Sequence, residues 1–79
     1  MKLETLIKEM VTQPSKVKVE ETTDDMGILL KVYVEKEDRA YIIGKKGLTI
    51  KAIKRIWRVI GGKEKKRYNI MIVEEDNEE

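Results

Sequence analysis

Four consecutive residues carry the clearest chemical signal in this 79-residue chain, Gly44-Lys45-Lys46-Gly47. The two glycines lack a Cβ, so they adopt backbone angles that other residues avoid and let another backbone come close. Lys45 and Lys46 are held between them at the tip of a turn. Ile42-Ile43 precedes the turn, and Leu48-Thr49-Ile50-Lys51-Ala52-Ile53 opens a longer helical pattern behind it. The first amides of a helix are unpaired and carry the positive end of its dipole, which suits an anion. A turn of this composition between two helices is chemistry for gripping phosphate, and the expected ligand is a polyanion.

The charge distribution points the same way. A net charge of +2 conceals a segment, residues 44–67, that holds ten Lys or Arg against the single acid Glu64. Residues 1–43 hold seven bases against nine acids, and five more acids lie between Glu74 and Glu79. One segment therefore carries the whole basic excess, the footprint of a nucleic-acid face.

Other chemistries find little support. There is no histidine, which removes the usual general base, metal ligand and pH switch, and no cysteine, which excludes disulfides and thiolate metal sites. Asp24-Asp25 and Glu20-Glu21 are adjacent in hairpin ends, and no nucleophile with a base can be assembled around them. A phosphate-binding loop of the nucleotide-hydrolysing type needs four residues between its glycines and a Lys-Ser/Thr pair. Here two intervene and Leu48-Thr49 follows. The reading is no enzyme, no catalytic residue, no metal and no cofactor. No apolar run approaches the roughly 20 residues that span a bilayer, and the N-terminus lacks the apolar block of a signal peptide. The expected location is cytoplasmic, with no membrane partner.

The elements that must position the turn follow from periodicity. Leu3, Leu6, Ile7, Met10 and Val11 recur on one helical face, predicting a helix over 2–12, with Glu4 and Lys8 as an outer ion pair four apart. Pro14 cannot continue it. Alternation in Lys16-Val17-Lys18-Val19-Glu20 predicts a strand, Thr22 to Gly27 has turn chemistry, and Ile28, Leu30, Val32 and Val34 form one face of a second strand. The two make a hairpin. Acids at 35–38 suit the start of a short helix over 37–43, which ends at Gly44.

The next helix, predicted over 48–60, has an unusually wide apolar side. Leu48, Ile50, Ala52, Ile53, Ile56, Trp57, Val59 and Ile60 cover an arc of about 200°, against about 100° for Lys51, Lys54, Arg55 and Arg58. Gly61-Gly62 is expected to stop it, Lys63 to Arg67 forms a loop, and 68–73 reads as a third strand. The second and third strands are joined through two helices, a crossover that favours parallel pairing of right-handed sense. The fold class is α+β: order α-β-β-α-α-β, with a three-stranded mixed sheet and three helices on one face. Seventy-nine residues make one domain with a thin core, so help from a partner subunit is plausible. Residues 1–73 form that domain, and the acids of 74–79 are too charged to pack and read as a disordered tail.

The stretch Ile42 to Ile53 resembles the GxxG core of KH domains, in which V/I-I-G-x-x-G-x-x-I-K-x-I joins two helices. All the fixed positions match. The element order resembles the type II arrangement, and the length resembles the small single-KH RNA-binding proteins of bacteria, the KhpA family. The resemblance implies that Gly44, Lys45, Lys46 and Gly47 clamp the backbone of about four single-stranded nucleotides. Lys51 and Lys54, nearest the loop, would support that grip, although basic residues on an outer helix face are more often simply solvated. The family's groove beside the loop is lined by apolar groups, so Ile43 and Ile50 are expected to serve both core and groove. Lys63, Lys65, Lys66 and Arg67 fall in the family's variable loop, which flanks the groove. Tyr41 sits where the family often has a basic or small residue, and stacking on a base and plain packing both stay open for it. Trp57 and Ile60 belong either to the core or to a subunit interface, and interface is the assignment favoured.

The leading function is non-catalytic binding of single-stranded RNA. Its alternatives are a protein-interaction adaptor acting through KH dimerisation, as a homodimer or with another KH protein, and single-stranded DNA binding. A helix-turn-helix reader of duplex DNA also fits a basic helix after a short turn. The strand hairpin before the helices and the strand after them count against it.

Overall fold

The computed structural model describes residues 2–74. Its elements run α1 (Leu3–Met10), β1 (Lys18–Asp24), β2 (Gly27–Tyr33), α2 (Arg39–Ile43), α3 (Leu48–Glu64) and β3 (Tyr68–Ile72). Alternation sets the sheet, which has the order β1-β2-β3. In the antiparallel pair Val19 lies opposite Val32, and in the parallel pair Leu30 and Val32 lie opposite Ile70 and Ile72. These residues share one face, and the other carries Lys18, Glu20, Lys31, Tyr33 and Met71. Leu3 and Ile7 of α1, Ile42 of α2, and Ile53 and Trp57 of α3 close the core over the apolar face. Ile7, Val32 and Ile42 are completely buried. Truncating such a residue to alanine costs about 2–5 kcal/mol, a large share of what a domain this small has in hand. The α+β architecture, with a mixed three-stranded sheet and three helices, is thus as the periodicity predicts.

Several boundaries move, each for a physical reason. Helix α1 stops at Met10, not residue 12, because Val11 turns to an extended conformation (φ −104°, ψ 165°). Pro14 then opens a 3-10 turn over Pro14–Lys16, where its fixed φ is an advantage. Strand β1 starts two residues later than expected and runs on to Asp24. Thr22 and Thr23 pair with Leu29 and Ile28 and belong to the ladder. The hairpin loop is only Asp25-Met26, and the Met26 amide donates to Asp24 Oδ1 at 2.8 Å.

The helix before the glycine turn is shorter than predicted, with a 3-10 turn over Lys36–Asp38 leading into Arg39–Ile43. Asp38 caps nothing in its own helix. Its side chain is fully buried, and its carboxylate accepts hydrogen bonds from the Thr12 amide (3.1 Å), the Thr12 hydroxyl (2.8 Å) and the Gln13 amide (3.1 Å). Burial alone pushes its pKa up, but the three donors outweigh it and hold the carboxyl below the usual aspartate range. One ionised side chain thereby ties the end of α1 to the start of the element that carries the site.

The largest correction concerns Gly61-Gly62. Helix α3 does not stop there but runs through both glycines to Glu64, and Lys65 ends it in the left-handed conformation (φ 59°, ψ 42°). Gly61 is buried, and a Cβ on it would press on the Lys66 carbonyl and the Tyr68 ring. It is glycine because the returning chain crosses there. The Lys66 amide donates to the Gly61 carbonyl at 2.8 Å, bringing β3 straight back along the helix. Strand β3 itself ends at Ile72, one residue earlier than predicted. The expectation of a disordered tail over 74–79 falls, beyond Glu74, outside the described residues.

Candidate nucleic-acid interface

The glycine turn is built by backbone geometry. Gly44 ends α2 with φ 77° and ψ 174°, a region open in practice only to glycine. A Cβ placed there would collide with the Thr49 hydroxyl and would lie 2.6 Å from the Thr49 Cβ. The Gly44 amide closes α2 on the Ala40 carbonyl (2.8 Å), and the Gly47 amide returns to the Gly44 carbonyl (3.1 Å). Lys45–Gly47 therefore makes a single 3-10 turn, with Lys46 (φ 54°) and Gly47 (φ 73°) both left-handed. Lys45 and Lys46 are exposed at its tip. No side chain caps α3, so its first-turn amides are left to solvent or a ligand behind two cations.

Lys51 and Lys54 continue from the turn along the exposed side of α3. Among the described residues, none of Lys45, Lys46, Lys51, Lys54 and Arg58 is held in an ion pair. Lys54 and Arg58 form one wall of a surface cavity of about 410 Å³, and Gly62 and the segment 66–70 line the rest. Tyr68 donates its hydroxyl to Glu64 at 2.9 Å, and that bond, together with partial burial, raises its pKa and keeps the phenol neutral.

The far wall is the free edge of the sheet. The Ile28 amide donates to the Arg67 carbonyl (2.8 Å) and the Val73 amide to the Val32 carbonyl (3.0 Å), so residues 67, 69, 71 and 73 turn toward β2. By the alternation of a parallel ladder, Tyr68, Ile70 and Ile72 turn their amides and carbonyls outward, and Tyr68 and Ile70 line the cavity. This edge is what sequence reasoning missed. The sequence signal was the crossover connection, which returns the third strand parallel to the second after passing through the helix.

The remaining predicted residues are placed as follows. Ile43 and Ile50 are half-buried, Ile50 packs against the core, and neither lines the cavity. Trp57 is 4% exposed and sits in the core, so its ring has little area to give an interface, and Ile60 is half-buried against the same core. The apolar residues of α3 that are left in the open are Leu48 (61%), Ile56 (45%) and Val59 (61%). Tyr41 is also exposed, at 55%. Among the described residues there is no cluster of three or more metal-ligating side chains, and no helix is long and apolar enough to cross a membrane.

Comparison with known proteins agrees with the geometry. Residues 1–72 match the KH domain of KhpA/KhpB. The RNA-binding protein KhpA of Clostridium acetobutylicum is 38% identical over 71 residues, 90% of this chain and 95% of the relative. The corresponding protein of Chlamydia pneumoniae is 34% identical over 70 residues, covering 89% and 90%. That of Listeria monocytogenes is 32% identical over 69 residues, covering 87% and 91%. No solved structure gives a significant match. With a family match across nearly all of its described residues, the chain belongs to the KhpA/KhpB KH-domain family.

Proposed function

We propose that the protein is a non-catalytic RNA-binding module that grips about four nucleotides of a single strand. The observation that carries this is the position of the Gly44–Gly47 turn. It is fixed in glycine-only geometry at the uncapped start of α3 and followed by an unpaired cation row and a cavity edged by β3. Phosphates meet Lys45, Lys46 and the turn amides, while Lys51 and Lys54 extend the grip. Bases lie toward β3, where the outward groups of Ile70 offer one donor and one acceptor to a base edge. The curated relatives are RNA-binding proteins by name, which supports RNA over the single-stranded DNA alternative. A cytoplasmic location follows from that ligand. Competition of single-stranded RNA against single-stranded and duplex DNA of equal length tests the ligand class. RNA is expected to compete best, and tight preference for duplex DNA would overturn the reading.

The open stripe on α3 favours a second, compatible role in association. Leu48, Ala52, Ile56 and Val59 are spaced as one helical face and remain exposed. A second copy or another KH protein covering this stripe would supplement the thin core. Sedimentation of the wild type and of Val59→Lys tests this. A dimer converted to monomer by the substitution is expected, and a wild type that stays monomeric at millimolar concentration would refute pairing with a second copy.

A further inference from the structure

The two edges of the sheet are built differently. An edge strand presents a row of N–H and C=O groups that can template pairing with another chain, and charged side chains discourage it. Strand β1 carries Lys18, Glu20, Glu21 and Asp24. Strand β3 is Tyr68-Asn69-Ile70-Met71-Ile72, with no charge and no proline. Its outward groups belong to Tyr68, Ile70 and Ile72, because 67, 69, 71 and 73 turn toward β2. One donor and one acceptor therefore recur every second residue, about 6.6 Å apart, which is the repeat of an added strand. Beside this edge, Lys54 and Arg58 of α3 line the same cavity as residues 66–70. They stand one helical turn apart, about 6 Å along the axis at 1.5 Å per residue, close to the spacing of side chains i and i+2 on a strand. Lys66 and Arg67 add two more cations, and no acid lines the cavity. Among the described residues none of these four cations is held in an ion pair.

We infer that this groove takes an extended segment of a partner protein as a fourth strand on β3, with Asp or Glu at every second position facing Lys54 and Arg58. Main-chain hydrogen bonds to the outward groups hold such a segment, and its alternate side chains give the selectivity. Each exposed ion pair is weak and screened by salt, so the match of spacing matters more than the sum of charge. In the RNA-binding reading the outward groups of Ile70 serve a base edge. An acidic strand and RNA therefore exclude each other in this groove, and the partner releases RNA from it. The docking itself does not depend on RNA being a ligand.

The test uses the full-length chain and three labelled peptides. Thr-Glu-Val-Glu-Val-Glu-Thr carries acids on one strand face, Val-Val-Thr-Thr-Glu-Glu-Glu has the same composition without the alternation, and Thr-Lys-Val-Lys-Val-Lys-Thr reverses the charge. Fluorescence anisotropy at about 50 mM salt should show the alternating acidic peptide binding at least about fivefold tighter than either control, and K54E/R58E should lose at least that factor. Hydrogen exchange should show the amides of Tyr68 and Ile70 gaining protection when the alternating peptide is added. Equal binding of the two acidic peptides, no binding of the alternating one at millimolar concentration, or binding without protection of those amides would overturn the inference. If the alternating peptide protects the edge while labelled single-stranded RNA does not bind the protein, the docking stands and the RNA-binding reading falls.

Discussion

Gly44 and Thr49 are so close that the turn has room for only one side chain between them: a Cβ on Gly44 would overlap the Thr49 hydroxyl and lie 2.6 Å from its Cβ. The glycine-only backbone of residue 44 and the start of α3 are thus a single feature. Gly44→Ala is expected to destabilise the protein by about 2 kcal/mol or more, from backbone strain plus the collision. Removing the hydroxyl should not rescue it, because the Thr49 Cβ and amide remain in the way. Thermal melts of G44A and G44A/T49A should therefore fall together, well below T49A alone. Recovery in the double variant would show that the hydroxyl was the whole obstacle.

Asp38 supplies a pH dependence. Its folded-state pKa is depressed by the Thr12 and Gln13 donors, so its contribution is present above the unfolded aspartate value of about 3.9 and is lost as pH falls through the folded value below that. Asp38→Asn should lower Tm at pH 7 by at least about 5 °C, the scale of one lost hydrogen bond in a domain of this size. The gap between wild type and variant should close below about pH 4. Glu20, held low by the Tyr33 hydroxyl and by Lys18, leaves an acid limb common to both. A gap that widens in acid would mean that Asp38 is neutral in the folded protein.

Salt reports the phosphate grip. Single-strand binding weakens with a logarithmic slope of about −0.7 per phosphate contact, so three or four contacts give about −2 to −3. Affinities measured between 50 and 300 mM salt supply the slope. A value near zero would mean that the cations of the turn touch no phosphate.

How far the sequence reveals this protein differs from element to element. The glycine turn was legible because its conformations need residues without a Cβ, and Lys45 and Lys46 because the two glycines bracket them at its tip. Helix α3 was legible in type but not in end, since Gly61 reads as a stop signal until Lys66 is seen crossing it. Thr22 and Thr23 were assigned to a turn because a polar edge strand, solvated on both sides, shows no alternation. The burial of Asp38 was hidden altogether, for its partner Thr12 lies 26 residues away and only tertiary structure joins them. The β3 edge was hidden for the same reason, because outward amides and carbonyls are a property of pairing and not of residue type.

The central claim, that Lys45 and Lys46 grip RNA from a turn whose shape does not depend on them, is met most directly by one paired measurement on Lys45→Asp/Lys46→Asp. Anisotropy with a labelled single-stranded RNA should show binding lost by at least about tenfold. The melting temperature should stay within about 4 °C of wild type, since exposed loop substitutions shift stability by only about 0.5 kcal/mol. Wild-type affinity in the double variant, or an unfolded double variant, would contradict the account.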